Sequence, residues 1–330
     1  MDVDLKTRIL PAGAAATAAA AQVLADGGLV AFPTETVYGL GADAANAAAI
    51  ARLYQAKGRP AFNPLIAHVG HLAAARKIAR FDAVATRLAE AFWPGPLTLV
   101  LPKTQNCAVA ELATAGLDTV AIRVPAHPVA RAILRAFGRA VVAPSANLSG
   151  HVSPTTAAHV RGDLEGRVDL IVDGGAVEVG VESTIVGCFD TPMLLRPGGA
   201  PRAAIERVIG HALARPPEDA ETDTGQPLAP GMLASHYAPR TRVRLHAGRI
   251  EPGEALLAFG PDKISGVDSA VAVLNLSVSG DLNEAAANLF GHLRALDTSG
   301  ARAIAVMPVP NEGLGEAIND RLRRAAVGRE

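Results

Sequence analysis

Sulfur and aromatic rings are scarce in this sequence: two cysteines, one tryptophan and three tyrosines among 330 residues, with aromatics at 4%. Cys107 and Cys188 stand 81 positions apart, and neither has a second cysteine or a histidine beside it at metal-ligand spacing. That excludes a zinc site and a disulfide framework, and fits a reducing, cytoplasmic setting. An excess of either charge is missing too, with 31 Lys+Arg against 32 Asp+Glu, so there is no global basic footprint for nucleic acid. With 49% hydrophobic residues the chain is not a disordered polyelectrolyte. No run approaches ~18 strongly apolar residues, so a membrane is not expected as a partner. The Ala-rich stretch behind Lys6 and Arg8 imitates a secretory leader, but Asp2 and Asp4 spoil its basic start. Gln22 and Asp26 interrupt it, so it reads as a helix ended by Gly27-Gly28.

Turn residues, by contrast, are abundant. Glycine (32) and proline (23) together make up about 17% of the chain against a typical ~12%, an investment in fixed loops, where sites are built. The length suggests two domains. Short apolar runs at 29–32, 65–69, 97–101, 120–124, 140–143, 170–172, 184–189 and 193–196 alternate with helical spacing at 14–25, 47–55, 72–78, 83–91, 128–137, 156–161 and 203–211. This is the pattern of an α/β protein with a mixed sheet. Residues 1–210 are expected to form the first domain and 211–240, rich in proline and acidic residues, a linker. After it, strands at 243–245, 255–259, 271–274 and 303–307 with helices at 282–296 and 315–326 make 241–330 a smaller α/β domain. Basic and acidic residues number 19 and 17 in 1–210, and 12 and 15 in 211–330, so any anion must be held locally.

Three polar loops at strand junctions are the candidates for that task. The first is Pro33-Thr34-Glu35-Thr36-Val37-Tyr38-Gly39-Leu40-Gly41, expected as a loop leaving a buried strand. Gly39, Gly41 and Ala44 match G-x-G-x-x-A, but no acidic residue follows ~20 positions on to hold a ribose, which argues against a dinucleotide fingerprint. The blander alternative is that Thr34 and Thr36 cap a turn and a helix. The second is Lys57-Gly58-Arg59-Pro60 with Asn63-Pro64, where two cations in a fixed loop suit a phosphate clamp or simply end a helix. His68 follows in an apolar strand. The third, Pro144-Ser145-Ala146-Asn147-Leu148-Ser149-Gly150 with Ser153-Pro154-Thr155, offers hydroxyls, an amide and backbone N–H groups to an anion or a ribose. Neither a nucleophile elbow nor a Walker loop is present. Lys57, Arg59, Arg123 and Arg196, expected to gather at strand ends, suit a reaction that needs positioning and charge neutralisation more than a protein nucleophile.

The strings PTETVYGLG, KGRP with NPL, WPGPLT, IRVP, PSANLSG, ESTIV, LRPGG and HYAP, in this order over nearly the whole chain, resemble the YrdC-like family in its long form with an extra C-terminal domain. The resemblance implies a twisted mixed sheet flanked by helices, plus a Rossmann-like second domain. It also implies a nucleotidyltransferase that makes threonylcarbamoyl-adenylate and pyrophosphate from L-threonine, bicarbonate and ATP with Mg2+, for threonylcarbamoyladenosine in tRNA. By the same resemblance Thr36, His68, Arg123, Ser145 and Ser183 hold threonine. Lys57, Arg59, Asn63, Thr119, Asn147, Ser153, Thr155 and Arg196 hold ATP, with Lys57 and Arg59 closest to the chemistry. Tyr237 closes over the nucleotide, which turns the linker into a lid. The product would pass to the machinery that transfers the threonylcarbamoyl group to tRNA. Gly187-Cys188, after ESTIV, departs from the polar or acidic residue expected there. The alternatives are an RNA-binding module of the same fold, with weak RNA binding through the first domain, and a carbamoyl-adenylate-forming carbamoyltransferase.

Overall fold

The computed structural model describes residues 5–215 and 237–327. The chain divides into two compact units, the larger of residues 1–149, 154–177 and 182–232 and the smaller of 150–153, 178–181 and 233–330. Most of the expected linker, including His236, lies outside the described residues.

The larger unit runs β1 (Arg8–Pro11), α1 (Ala14–Ala25), β2 (Val30–Pro33), β3 (Tyr38–Asp43), α2 (Ala47–Lys57), β4 (Ile66–His68), α3 (Leu72–Ile78), α4 (Ala83–Phe92) and β5 (Leu97–Pro102). It continues with α5 (Glu111–Thr114), β6 (Thr119–Arg123), α6 (Pro128–Phe137), β7 (Val141–Val142), α7 (Ala157–Leu164), β8 (Leu170–Asp173), β9 (Thr184–Gly187), β10 (Met193–Arg196) and α8 (Arg202–Ile209). Side chains start the helices: Asn46 accepts from Ala48 and Ala49, Asp82 from Ala85, and Thr156 from His159. The ten strands form one mixed sheet in the order β1-β8-β2-β3-β7-β4-β6-β5-β9-β10.

The two faces of this sheet differ. Residues directly paired across strands share a face. On one face Ala67, Leu97, Leu99, Leu101, Val120, Ile122, Val142 and Val186 join residues of α2 to α5, α7 and α8 in the main core. On the other face α1 and α6 cover the half built from β8, β2 and β7. Among the described residues the remaining half carries a small cluster of Ile66, Val100, Ala121, Ile185 and Leu195, every member from a strand.

The expected mixed α/β sheet is present, but the expected loop at 33–41 is not one loop. It is a four-residue turn followed by β3, paired antiparallel with β2 from Pro33↔Tyr38 to Val30↔Gly41. Gly39 and Gly41 therefore lie inside a strand, which removes the dinucleotide reading. β3 is buried on both faces, so it has no alternation to read.

The smaller unit contains β11 (Arg242–Arg244), β12 (Glu254–Ala258), β13 (Val273–Asn275), α9 (Leu282–Asp297), β14 (Ala303–Val306) and α10 (Gly315–Ala326). Its sheet is parallel throughout, in the order β11-β14-β12-β13, as expected of a Rossmann-like domain, but β11, β12 and β13 follow one another without an α-helix and strand–helix alternation begins only at β13. Among the described residues no helix is long and apolar enough to cross a membrane.

Candidate active site

Strand register assembles one row of side chains on the half of the sheet that α1 and α6 do not cover. Arg196 pairs with Ile185, Ile185 with Thr98, and His68 with Arg123. The pairing Leu99↔Ile122, continued by one residue, sets Thr98 opposite Arg123. Arg196, Thr98, Arg123 and His68, from strands β10, β5, β6 and β4, therefore share one face, above the apolar cluster. With strands ~4.8 Å apart, the Cα atoms of Arg196 and Arg123 are separated by roughly 14 Å, so the two cations address different ends of a ligand.

At the Arg123 end the turn between β2 and β3 folds over the row. Arg123 donates from Nη2 to Glu35 Oε1 at 2.6 Å, from Nη1 to Thr36 Oγ1 at 2.9 Å and from Nε to Gly95 O at 3.2 Å. Glu35 Oε2 accepts from the N–H groups of Ala126 and His127, just before α6. Burial alone would raise the Glu35 carboxyl, but the Arg123 charge and these hydrogen bonds hold it below the usual carboxylate value. His68 Nδ1 lies 3.1 Å from Ile66 O. A carbonyl only accepts, so Nδ1 carries the proton and Nε2 is a bare acceptor. Burial, reinforced by the Arg123 charge, lowers this imidazole to about 3, so it is neutral near pH 7.

The KGRP segment approaches from a helix end. Gly58 adopts φ 57°, ψ 35° and terminates α2, donating its N–H to Gln55 O. The left-handed turn lets Lys57 and Arg59 both point inward, where they are buried. Lys57 Nζ donates to Ser145 O and Asn147 O, each at 2.5 Å, while Ser149 N returns a bond to Lys57 O. Complete burial, then the Arg59 charge, drive the Lys57 ammonium well below the ordinary lysine value. Arg59 Nη2 reaches Pro64 O at 3.1 Å, and Tyr54 Oη donates to Asn63 O at 3.1 Å. Asn63 Oδ1 is buried and, among the described residues, accepts no hydrogen bond. A buried acceptor of this kind is costly unless a ligand donor reaches it.

At the opposite end Ser183 Oγ lies 2.8 Å from Thr98 Oγ1, and Arg196 clasps Ser183 O from Nε (3.2 Å) and Nη2 (2.9 Å). Gly198 makes this possible: a Cβ there would stand 2.3 Å from Glu182 O and 2.4 Å from Thr184 N. Cys188, which follows β9 and packs in the main core, is buried, its thiol pushed up to about 12 by desolvation, which disfavours the reactive thiolate.

The other expected residues lie as follows. Thr119 opens β6 on the same face as Arg123, and Thr155 is buried against His159 Nδ1 at 3.3 Å. Ser153 and Tyr237 are buried and belong to the smaller unit, where the Tyr237 ring stacks on Phe290 with centroids 5.6 Å apart. The expectation that four cations gather at strand ends is corrected. Arg123 and Arg196 end strands, whereas Lys57 ends α2 and Arg59 follows it, because a helix capped by glycine delivers two cations to one side. Glu35 and Thr98 were not assigned from the sequence. Glu35 stands beside Thr36 in the PTET string, but its partner Arg123 is 88 positions away.

Residues 22–198 match the family model of the Sua5, YciO and YrdC proteins, described as telomere recombination. Residues 201–327 match that of the C-terminal domain of threonylcarbamoyl-AMP synthase. The threonylcarbamoyl-AMP synthase of Bacillus subtilis is 42% identical over 325 residues, 94% of this chain and 93% of its own. That of Pyrococcus abyssi is 43% identical over 319 residues, 93% of each chain. The crystal structure of P. abyssi Sua5 complexed with L-threonine superposes with a TM-score of 0.87 at 38% identity, covering 97% of both chains.

Proposed function

The chain belongs to the Sua5/YciO/YrdC family and is an enzyme that makes threonylcarbamoyl-AMP, and on that premise we propose that the polar face of its larger unit joins L-threonine, bicarbonate and ATP. The threonine amine and bicarbonate give N-carboxythreonine and water. A carboxylate oxygen of that product attacks the α-phosphorus of ATP, the bond from the α-phosphorus to the bridging oxygen breaks, and pyrophosphate leaves. The nucleophile is already anionic, so the transfer needs orientation and charge neutralisation and no dedicated base.

The observation that carries the reading is the juxtaposition of the Arg123 fork with His68 Nε2 in one row. A guanidinium has five N–H donors, and three are engaged, which leaves one on each Nη for a carboxylate. A neutral imidazole acceptor beside it suits the donors of an amino acid. In this reading Thr36, His68, Arg123, Ser145 and Ser183 hold threonine. Lys57, Arg59, Asn63, Thr119, Asn147, Ser153, Thr155, Arg196 and Tyr237 hold ATP, with the buried Asn63 Oδ1 taking a nucleotide donor. Lys57 and Arg59 stand nearest the chemistry. The residues assigned to ATP offer cations, hydroxyls and amides to the phosphates, and Mg2+ would arrive bound to ATP. Free Cys107 and Cys188 fit a cytoplasmic enzyme whose product passes to the tRNA threonylcarbamoyl-transfer machinery.

Incubation with ATP, Mg2+, bicarbonate and L-threonine is expected to yield threonylcarbamoyl-AMP and pyrophosphate. Absence of a threonine-dependent product at every magnesium concentration refutes the reading.

A further inference from the structure

The turn between β2 and β3 contains two polar side chains to which the reaction as described assigns nothing, Thr34 and Glu35, both buried. Their hydrogen bonds run in one direction. Thr34 Oγ1 lies 2.7 Å from Val37 O, and a carbonyl only accepts, so the single Thr34 hydroxyl proton is committed there. Thr34 Oγ1 is also 2.8 Å from Thr36 Oγ1. With its own proton spent, Thr34 Oγ1 accepts: from the Thr36 hydroxyl, which must donate, and over longer contacts from the N–H groups of Thr36 at 3.2 Å and Val37 at 3.3 Å. Thr36 Oγ1 in turn accepts from Arg123 Nη1. Its proton and one lone pair are thereby used, and what remains is one lone pair. Thr36 thus offers an acceptor and has no proton left to offer.

Glu35 sets the other half. Its Oε1 takes one Nη2 hydrogen of Arg123 and its Oε2 is tied to the backbone of Ala126 and His127, so the guanidinium plane is fixed from a rigid anchor. Gly95 O fixes the Nε edge. The carboxylate also cancels the buried charge of Arg123 before any ligand arrives. The ligand carboxylate therefore binds through aimed N–H groups, and does not rescue an unpaired cation.

We propose that Glu35 and Thr34 are positioning residues for L-threonine: Glu35 aims the Arg123 fork at the substrate carboxylate, and Thr34 fixes Thr36 Oγ1 as an acceptor for a donor hydrogen of the substrate. That hydrogen belongs to the β-hydroxyl or to the amino nitrogen. The proposal rests on the threonine reading of this face, and wild-type turnover with threonine tests that reading separately.

The test uses the full chain, with the KM for L-threonine at saturating Mg–ATP and bicarbonate, the KM for ATP at saturating threonine, and calorimetric binding of L-threonine alone. Glu35→Gln, close in shape but uncharged, is expected to weaken threonine about tenfold or more in both KM and calorimetry. The ATP KM stays within about twofold. Thr34→Val is expected to act the same way, and Thr34→Ser, which keeps the hydroxyl, to recover most of the loss. L-2-aminobutyrate, which lacks the hydroxyl, separates the two sources. If Thr36 reads the β-hydroxyl, Thr34→Val narrows the preference for threonine over this analogue; if it reads the amino N–H, both weaken alike. Wild-type threonine affinity in Glu35→Gln and Thr34→Val overturns the proposal. So does a parallel loss for threonine and ATP that Thr34→Ser fails to recover, since that is the mark of general damage to the fold.

Discussion

The Lys57 ammonium lies 2.5 Å from the carbonyl oxygen of Asn147. With its second bond, to Ser145 O, the last side chain of α2 fastens the loop that supplies Ser145 and Asn147. A cation assigned to phosphate is thus also a structural tie, which shapes what its removal will do.

Lys57→Met keeps the aliphatic stem but leaves two buried carbonyls without their donor. It is expected to abolish threonylcarbamoyl-AMP formation and to cost ~2–4 kcal/mol of stability, since an unsatisfied buried group costs ~1–3 kcal/mol. Arg59→Ala should lose activity while staying folded. Urea denaturation run beside the activity assay checks both, and full turnover in either variant removes the phosphate-clamp role.

His68 makes stability depend on pH. Its folded value is about 3 against 6.5 in the free side chain, so below 6.5 the unfolded chain takes up a proton that the folded chain refuses. This contribution is complete above 6.5 and is lost as pH falls from there towards 3. Glu35, also held below its ordinary 4.5, adds to the loss only in stronger acid. His68→Phe should therefore flatten the stability slope between about pH 6 and 5 by up to ~1.4 kcal/mol per unit. Equal slopes in variant and wild type would contradict a neutral buried His68.

Gly198→Ala is expected to destabilise by ~2 kcal/mol or more, because the atoms a Cβ would strike are backbone atoms of residues 182–184 and have no rotamer to yield. Melting temperature reports it, and an unshifted value would mean that the Ser183 segment can move away.

Tyr237 offers a separation of packing from ligand contact. Its buried ring lies against Phe290 and 5.2 Å from the Arg321 guanidinium, so Tyr237→Ala should cost ~3–5 kcal/mol. Tyr237→Phe keeps the ring stack and should raise the ATP KM if the hydroxyl serves the nucleotide as proposed. An unchanged ATP KM in Tyr237→Phe would confine the residue to packing.

Much of this was legible in the sequence. Strands such as 97–101 and 120–124 and helix 282–296 are strongly patterned, and observed β5, β6 and α9 lie within one residue of these limits. β3 was not legible, because Tyr-Gly-Leu-Gly-Ala-Asp is buried on both faces and carries two glycines. β1, four residues at the sheet edge and largely exposed, had too little apolar content to register. The site was legible as motifs but not as a network. Nothing local in the PTET string tells that its glutamate neutralises an arginine on β6, because that pairing exists only once β3, β7, β4 and β6 have come together in that order.

The polar row on the larger sheet has a thermodynamic consequence. Arg196, Thr98, Arg123 and His68 are buried before any ligand arrives, beside an apolar cluster that is itself buried. That arrangement exists only in the folded chain, so substrates that bind it would stabilise the fold by mass action. Occupancy and resistance to unfolding would then be a single equilibrium.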